Sequence, residues 1–301
     1  MRAVWACLWV GVMAVVITTV SSDDNREVAV STGKAGKQLP YDEGSFEDTT
    51  ESPPDTGDRP TDCADILIKG QRASSGVYQI YPFSCECARP VSVFCDMETD
   101  GGGWTVFLKR ENQSQLENFN QSLQERFNRS WTEYKDGFGS PSQEYWLGNE
   151  MLHKMTVSRE YAVRLDLEYK NGAIHYYTRS SFKVNSEATS YTMTYSGTSA
   201  GSVSANCMTT YNSRPFTTYD RDNDAATGNC ADSRGGGWWY YNCRYNNPTS
   251  VYKAGLNYTC YSNVVVEVVK LQMKIRPVLC DATTKKVFLN TPQCGSCGSS
   301  D

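Results

Sequence analysis

From Tyr161 to Lys170 the chain alternates without a break. Tyr161, Val163, Leu165, Leu167 and Tyr169 stand against Ala162, Arg164, Asp166, Glu168 and Lys170. Successive side chains of a strand point to opposite faces, so a period of two marks a half-buried strand. Asn171-Gly172 follows, a dipeptide suited to a type I′ turn, and residues 173–184 read as the return strand of a hairpin. Val91–Phe94, Trp104–Leu108 and the set Tyr191, Met193, Tyr195 are also strand-like. Val264 to Arg276 is a long β-branched run that stops at Pro277 and reads as a buried strand. Helical signals are shorter, around 115–128 and 149–155. Between Ser196 and Asn263 the chain is polar, rich in Gly and Asn and almost without period. So long an irregular stretch is usually functional and needs disulfides or a metal to hold it.

Arg2 precedes an apolar run from Ala3 to Val20, and Thr19, Ser21 and Ser22 supply a small-residue cleavage site. Residues 1–21 read as a secretory signal peptide, with an uncleaved anchor as the alternative. In the oxidising compartment this implies, most of the twelve cysteines should be disulfides. Cys7 leaves with the signal, and the odd remainder leaves at least one thiol free or bonded to another chain. Sequons at Asn112, Asn120, Asn128 and Asn257 agree with secretion. Residues 22–60 carry ten acids against four bases and little apolar surface, so they read as a disordered acidic linker. They contain neither Gly-X-Y repeats nor heptads. A net charge of −5 argues against a general nucleic-acid binder. Only His153 and His175 occur, which excludes any three-imidazole metal site.

The chemical motifs narrow further. Gly197-Thr198-Ser199-Ala200-Gly201 has the spacing of a nucleophile elbow, but a poor helix former follows and both histidines lie upstream, so a loop is expected. Cys294-Gly295-Ser296-Cys297 suits disulfide chemistry better than zinc, because no histidine is near. Gly101–Gly103 and Gly235–Gly237 read as independent tight turns. Asp220-Arg221-Asp222-Asn223-Asp224 begins like an EF-hand loop. It has Ala225 where the turn needs Gly and Ala231 where a bidentate Glu belongs, so it is not an EF-hand. It is either a solvated acidic turn or a hard-cation site clipped by Cys230.

Taken in order, several segments resemble the fibrinogen C-terminal domain family, which includes ficolins and tachylectins. They are Asp62-Cys63, Phe94-Cys95-Asp96-Met97, Gly101-Gly102-Gly103-Trp104, Tyr145-Trp146-Leu147-Gly148-Asn149-Glu150, Tyr219 to Asp224, Asn229-Cys230-Ala231 and Gly237-Trp238-Trp239. The resemblance implies an α+β domain over residues 61–280, with an antiparallel sheet and a loop-rich calcium-binding subdomain. A Cys-containing tail, 281–301, lies beyond it. It implies Ca²⁺ held by the Asp222 and Asp224 side chains and the Ala226 and Gly228 carbonyls. It also implies disulfides Cys63–Cys95 and Cys230–Cys243, and a packing role for His153. Pairings of Cys85, Cys87, Cys207, Cys260, Cys280, Cys294 and Cys297 stay open.

In acetyl-binding members of the family the ligand sits beside the second disulfide, next to a cis peptide that falls here at Asn242–Cys243. This chain has Arg234 where those lectins carry an aromatic residue and Arg244 where they usually carry His. The expected ligand surface is Arg234, Asn242, Cys243 and Arg244. Two readings follow. One is a secreted, non-enzymatic, lectin-type recognition protein for glycans, with anionic ones preferred and innate defence as the setting. The other is a module that binds an extracellular protein in adhesion or signalling. Either is expected as a homo-oligomer, disulfide-linked or non-covalent, with Cys294 and Cys297 as candidate links.

Overall fold

The computed structural model describes residues 59–69, 74–83, 89–111, 127–202, 208, 210–243, 247–250, 256–259 and 265–278. All of them fall in one compact unit, Pro53–Asp301. The signal, most of the linker, Asn112, Asn120, Arg244, the tail and the seven cysteines of open pairing lie outside the described residues.

Helix α1 (Cys63–Ile68) is followed by strands β1 (Gly76–Ile80), β2 (Val91–Asp96) and β3 (Trp104–Arg110). Helix α2 (Trp131–Asp136), strands β4 (Phe138–Gly139) and β5 (Tyr145–Trp146), and helix α3 (Asn149–Ser158) come next. Strands β6 (Tyr161–Tyr169), β7 (Ile174–Val184) and β8 (Met193–Gly201) lead to the short helix α4 (Cys230–Arg234). Strands β9 (Leu256–Thr259) and β10 (Val265–Pro277) follow. The strands form one sheet in the order β1-β2-β3-β10-β6-β7-β8. The β4–β5 pair hangs on β3, and β9 pairs with β10. Every pairing is antiparallel.

The strand near the end of the domain is therefore its centre. β10 pairs with β3 through Leu271–Ile275 and with β6 through Val268–Pro277. Its odd positions Leu271, Met273 and Ile275 are fully buried, as are Val163, Leu165 and Leu167 of β6. On the opposite face the buried Lys274 ammonium sits between Asp96 and Asp166. Arg164 bonds Asp166 at 2.8 Å and stacks over Tyr176.

The β6–β7 hairpin differs from the type I′ expectation. Gly172 has φ +82°, but Asn171 is not left-handed. Gly172 N–H donates to Tyr169 O and Tyr169 N–H to Ala173 O, which closes a three-residue connection. A type I turn followed by a left-handed Gly suits the strand twist as well as a two-residue turn does. Gly197–Gly201 is the outer half of β8 rather than a loop, with Gly197 left-handed at a register shift opposite Ser180. It makes no strand-to-helix elbow. Tyr191 lies outside β8, left-handed and fully buried. The glycines of 101–103 all take positive φ. Two disulfides match the resemblance: Cys63–Cys95 ties α1 to β2, and Cys230–Cys243 clips α4.

An aromatic block joins sheet and loops. Trp146 touches Phe107, Tyr134, Phe216 and Trp239 at centroid distances of 5.5–6.0 Å. Tyr134 Oη donates to Phe127 O and accepts from Gly237 N–H. A Cβ at Gly237 would lie 2.7 Å from the Tyr134 ring, so the close approach requires glycine. His153 lies on α3 with Nδ1 2.9 Å from Val184 O, a packing position.

Candidate functional site

The acidic run lies on a loop between Phe216 and α4, and its three carboxylates do different work. Asp220 faces helix α2. Its two oxygens accept the Trp131 N–H at 2.9 and 3.2 Å, and Thr218 Oγ1 donates to it at 2.7 Å. Ser130 and Glu133 add a capping box at the same helix end. Asp220 is thus committed to the fold.

Asp222 and Asp224 remain together. Asp224 N–H donates to Asp222 Oδ1 at 3.3 Å. Asp224 Oδ1 accepts from Ala226 N–H at 2.8 Å and Oδ2 from Cys230 N–H at 2.9 Å, so this side chain reaches the disulfide backbone. Burial raises the Asp224 carboxyl above its ordinary range, and the Asp222 charge adds to this, against the lowering by the Cys230 and Ala226 N–H groups. Asn229 caps α4 through Asp232 N–H, and its amide donates to Thr218 O and Tyr219 O. Asn223 Nδ2 donates to Phe216 O at 2.7 Å. These side chains fix a loop that has little regular backbone bonding of its own.

The residues suit a hard cation. Asp222 and Asp224 share one loop with Ala226 and Gly228, and neither of those two carbonyls accepts a hydrogen bond among the described residues. A Cβ on Gly228 would meet nothing within 4 Å, so the approach there is open. No described Lys or Arg pairs with Asp222 or Asp224. Arg221 turns away and lies over Trp131 at 3.9 Å. The described residues hold no cluster of three His, Cys, Asp or Glu side chains placed for a metal. Carbonyl oxygens would therefore have to complete the set.

Beside the loop, the Cys230–Cys243 disulfide brings Arg234 and Asn242 together. Arg234 is exposed and its guanidinium donates to Cys243 O. It does not pair with Asp220 or Asp232. The Asn242–Cys243 peptide is trans: the described residues contain no cis bond, which corrects the cis peptide that the resemblance implies. Arg214 stacks on the exposed Tyr241 at 4.1 Å, and Tyr219 is exposed at the loop entrance. No local sequence pattern marks Arg214 and Tyr241. They are 27 residues apart and nothing local links them.

A family described as "Fibrinogen beta and gamma chains, C-terminal globular domain" matches residues 59–278. The chain belongs to this family. Techylectin-5A of Tachypleus tridentatus is 34% identical over 230 residues, covering 73% of this chain and 74% of that one. Tenascin of Gallus gallus is 38% identical over 226 residues, 72% of this chain but 12% of tenascin. The fibrinogen-like globe domain of human ANGPTL2 superposes with a TM-score of 0.63 at 31% identity, covering 72% of this chain and 99% of the globe. Lamprey fibrin D-dimer, solved with the peptide ligand Gly-His-Arg-Pro-amide, gives a TM-score of 0.62 at 26% identity and covers 80% and 79%. The fibrinogen C-terminal fold thus accounts for the sheet and the loop-rich subdomain. Its two disulfides are seen. Among the described residues no helix is long and apolar enough to cross a membrane.

Proposed function

We propose that this fibrinogen-family domain is a secreted, non-enzymatic, calcium-stabilised recognition module of lectin type, and that it takes anionic glycans beside Cys230–Cys243. The observation that carries the reading is Arg234. It is an exposed guanidinium held over the disulfide by a backbone carbonyl, with no carboxylate partner among the described residues. A guanidinium offers paired planar donors that match carboxylate or sulfate. Arg244 follows Cys243 directly in sequence and would add a second. The 34% identity to a protein named as a techylectin supports the glycan class.

Asp222 and Asp224, with the carbonyls of Ala226 and Gly228, would hold the Ca²⁺. Bound there, the ion supplies positive charge between two carboxylates and stiffens the loop that leads into Cys230. The test of the ligand is a glycan array with sialylated, sulfated and neutral N-acetyl sugars, in calcium and in EDTA. Wild type should prefer the anionic ligands and the Arg234→Ala/Arg244→Ala variant should lose them. Equal binding to both classes, or no loss in the variant, overturns the reading.

A protein-binding module is the second reading. It is favoured by the tenascin relative and by the peptide in the lamprey structure. Binding of Gly-His-Arg-Pro-amide with a silent array would select it. Disulfide-linked assembly through Cys294 or Cys297 belongs to either reading. It predicts a band heavier than the monomer on a non-reducing gel that collapses on reduction.

A further inference from the structure

A cavity of about 230 Å³ opens between the chain entering α2 and the β4–β5 hairpin. It shares no residue with the acidic loop or with the Cys230–Cys243 surface. Glu144, Phe127 and Phe138 line it with Arg129, Ser140 and Gln143. The Glu144 side chain is 2% exposed. Its Oε1 accepts from Arg110 Nε at 3.2 Å and from Glu111 N–H at 3.1 Å. Its Oε2 takes no hydrogen bond among the described residues. That oxygen keeps some exposure, and a hydroxyl entering the cavity can donate to it.

We infer that this cavity is a second binding site, for a neutral pyranose. An anion is opposed by Glu144. An ammonium is opposed by the two guanidiniums already on the aromatic rings: Arg110 over Phe127 at 4.1 Å and Arg129 over Phe138 at 5.7 Å. A neutral hydroxyl meets neither charge and supplies the missing donor to Oε2. Phe138 is half-buried and edge-on to Phe127 and Tyr134 at 5.2 and 5.0 Å, a rigid apolar wall for the C–H face of a sugar ring. Ser140 and Gln143 are exposed at the rim, and each both donates and accepts, as vicinal hydroxyls require. The volume suits one monosaccharide and is below that of drug-sized pockets.

The test uses the whole secreted chain and saturation-transfer NMR with methyl α-glucoside, α-galactoside and α-mannoside, none of which carries an acetyl or acidic group. At least one should give signal at millimolar concentration, in EDTA as well as in calcium, and in Arg234→Ala. Gln143→Ala, at an exposed position, should weaken it about fivefold, the worth of one hydrogen bond. Phe138→Leu should abolish it. Glu144→Gln should also lose it, with thermal melting to confirm folding. If that variant does not fold, Gln143→Ala carries the test. No signal with any of the three glycosides, or signal unmoved by both Gln143→Ala and Phe138→Leu, overturns the inference. Signal lost instead in Arg234→Ala assigns the sugar to the disulfide surface, which also overturns it while leaving the proposed function standing.

Discussion

Asp220 closes helix α2 from across the chain: both its carboxylate oxygens accept the Trp131 N–H, 89 residues away in sequence. The first acid of the Asp220–Asp224 run therefore ties the loop to the aromatic block, and only Asp222 and Asp224 are left for a cation. Asp220→Ala removes one charge-assisted cap and should cost about 1–2 kcal/mol in urea unfolding. The calcium-dependent rise in melting temperature should survive. Loss of that rise in Asp220→Ala would count against this division of labour.

Asp224→Ala should behave in the opposite way. A cation that binds only the folded state stabilises it by mass action. Wild type should melt higher in millimolar Ca²⁺ than in EDTA, and Asp224→Ala should melt alike in both. Identical wild-type curves would remove the calcium assignment.

The Cys230–Cys243 disulfide closes a loop of sequence separation 13, and Asp224 grips the Cys230 N–H inside it. Cys230→Ala/Cys243→Ala should lose about 3 kcal/mol, the loop-closure value for this length. It should also weaken calcium binding, measured by isothermal titration. An unchanged calcium affinity would show that the clip does not organise the cation loop.

Asp96 and Asp62 set opposite pH dependences. Asp96 is desolvated, but the Lys274 ammonium and the Thr99 N–H outweigh this and bring its carboxyl down to about 2. Because its folded value lies below the unfolded one, its contribution is present above about pH 4 and lost as pH falls toward 2. Asp96→Asn should flatten urea stability over that window.

Burial and the neighbouring Asp65 push Asp62 up to about 6, although Arg159 and Tyr161 Oη both bond it. Here the folded value is the higher one, so ionisation opposes folding and stability should fall as pH rises from about 4 to 6. Asp62→Asn keeps an acceptor for the α1 N–H groups and should remove that slope. A slope unchanged in Asp62→Asn would assign the titration to another group.

Local pattern alone carries β2, β3, β6, β7 and β10, but not β1, β4, β5 or β9, and it reads Gly197–Gly201 as a loop where β8 continues. The period of two over 161–169 and the β-branched run before Pro277 are local facts, and any sheet that buries them must orient them as this one does. The ordered family segments likewise made the fold and the two disulfides legible. Residues 115–128 carry a helical signal, but all of them except Phe127 and Asn128 lie outside the described residues. The long-range fold commits Asp220 to helix α2, because its partner is a backbone N–H far along the chain. It decided that the last strand is central, since strand order depends on long-range pairing and not on pattern. It placed Arg214 on Tyr241 and brought Glu144, Phe127 and Phe138 to one cavity. These contacts arise where separate segments meet, and no local periodicity records such a meeting.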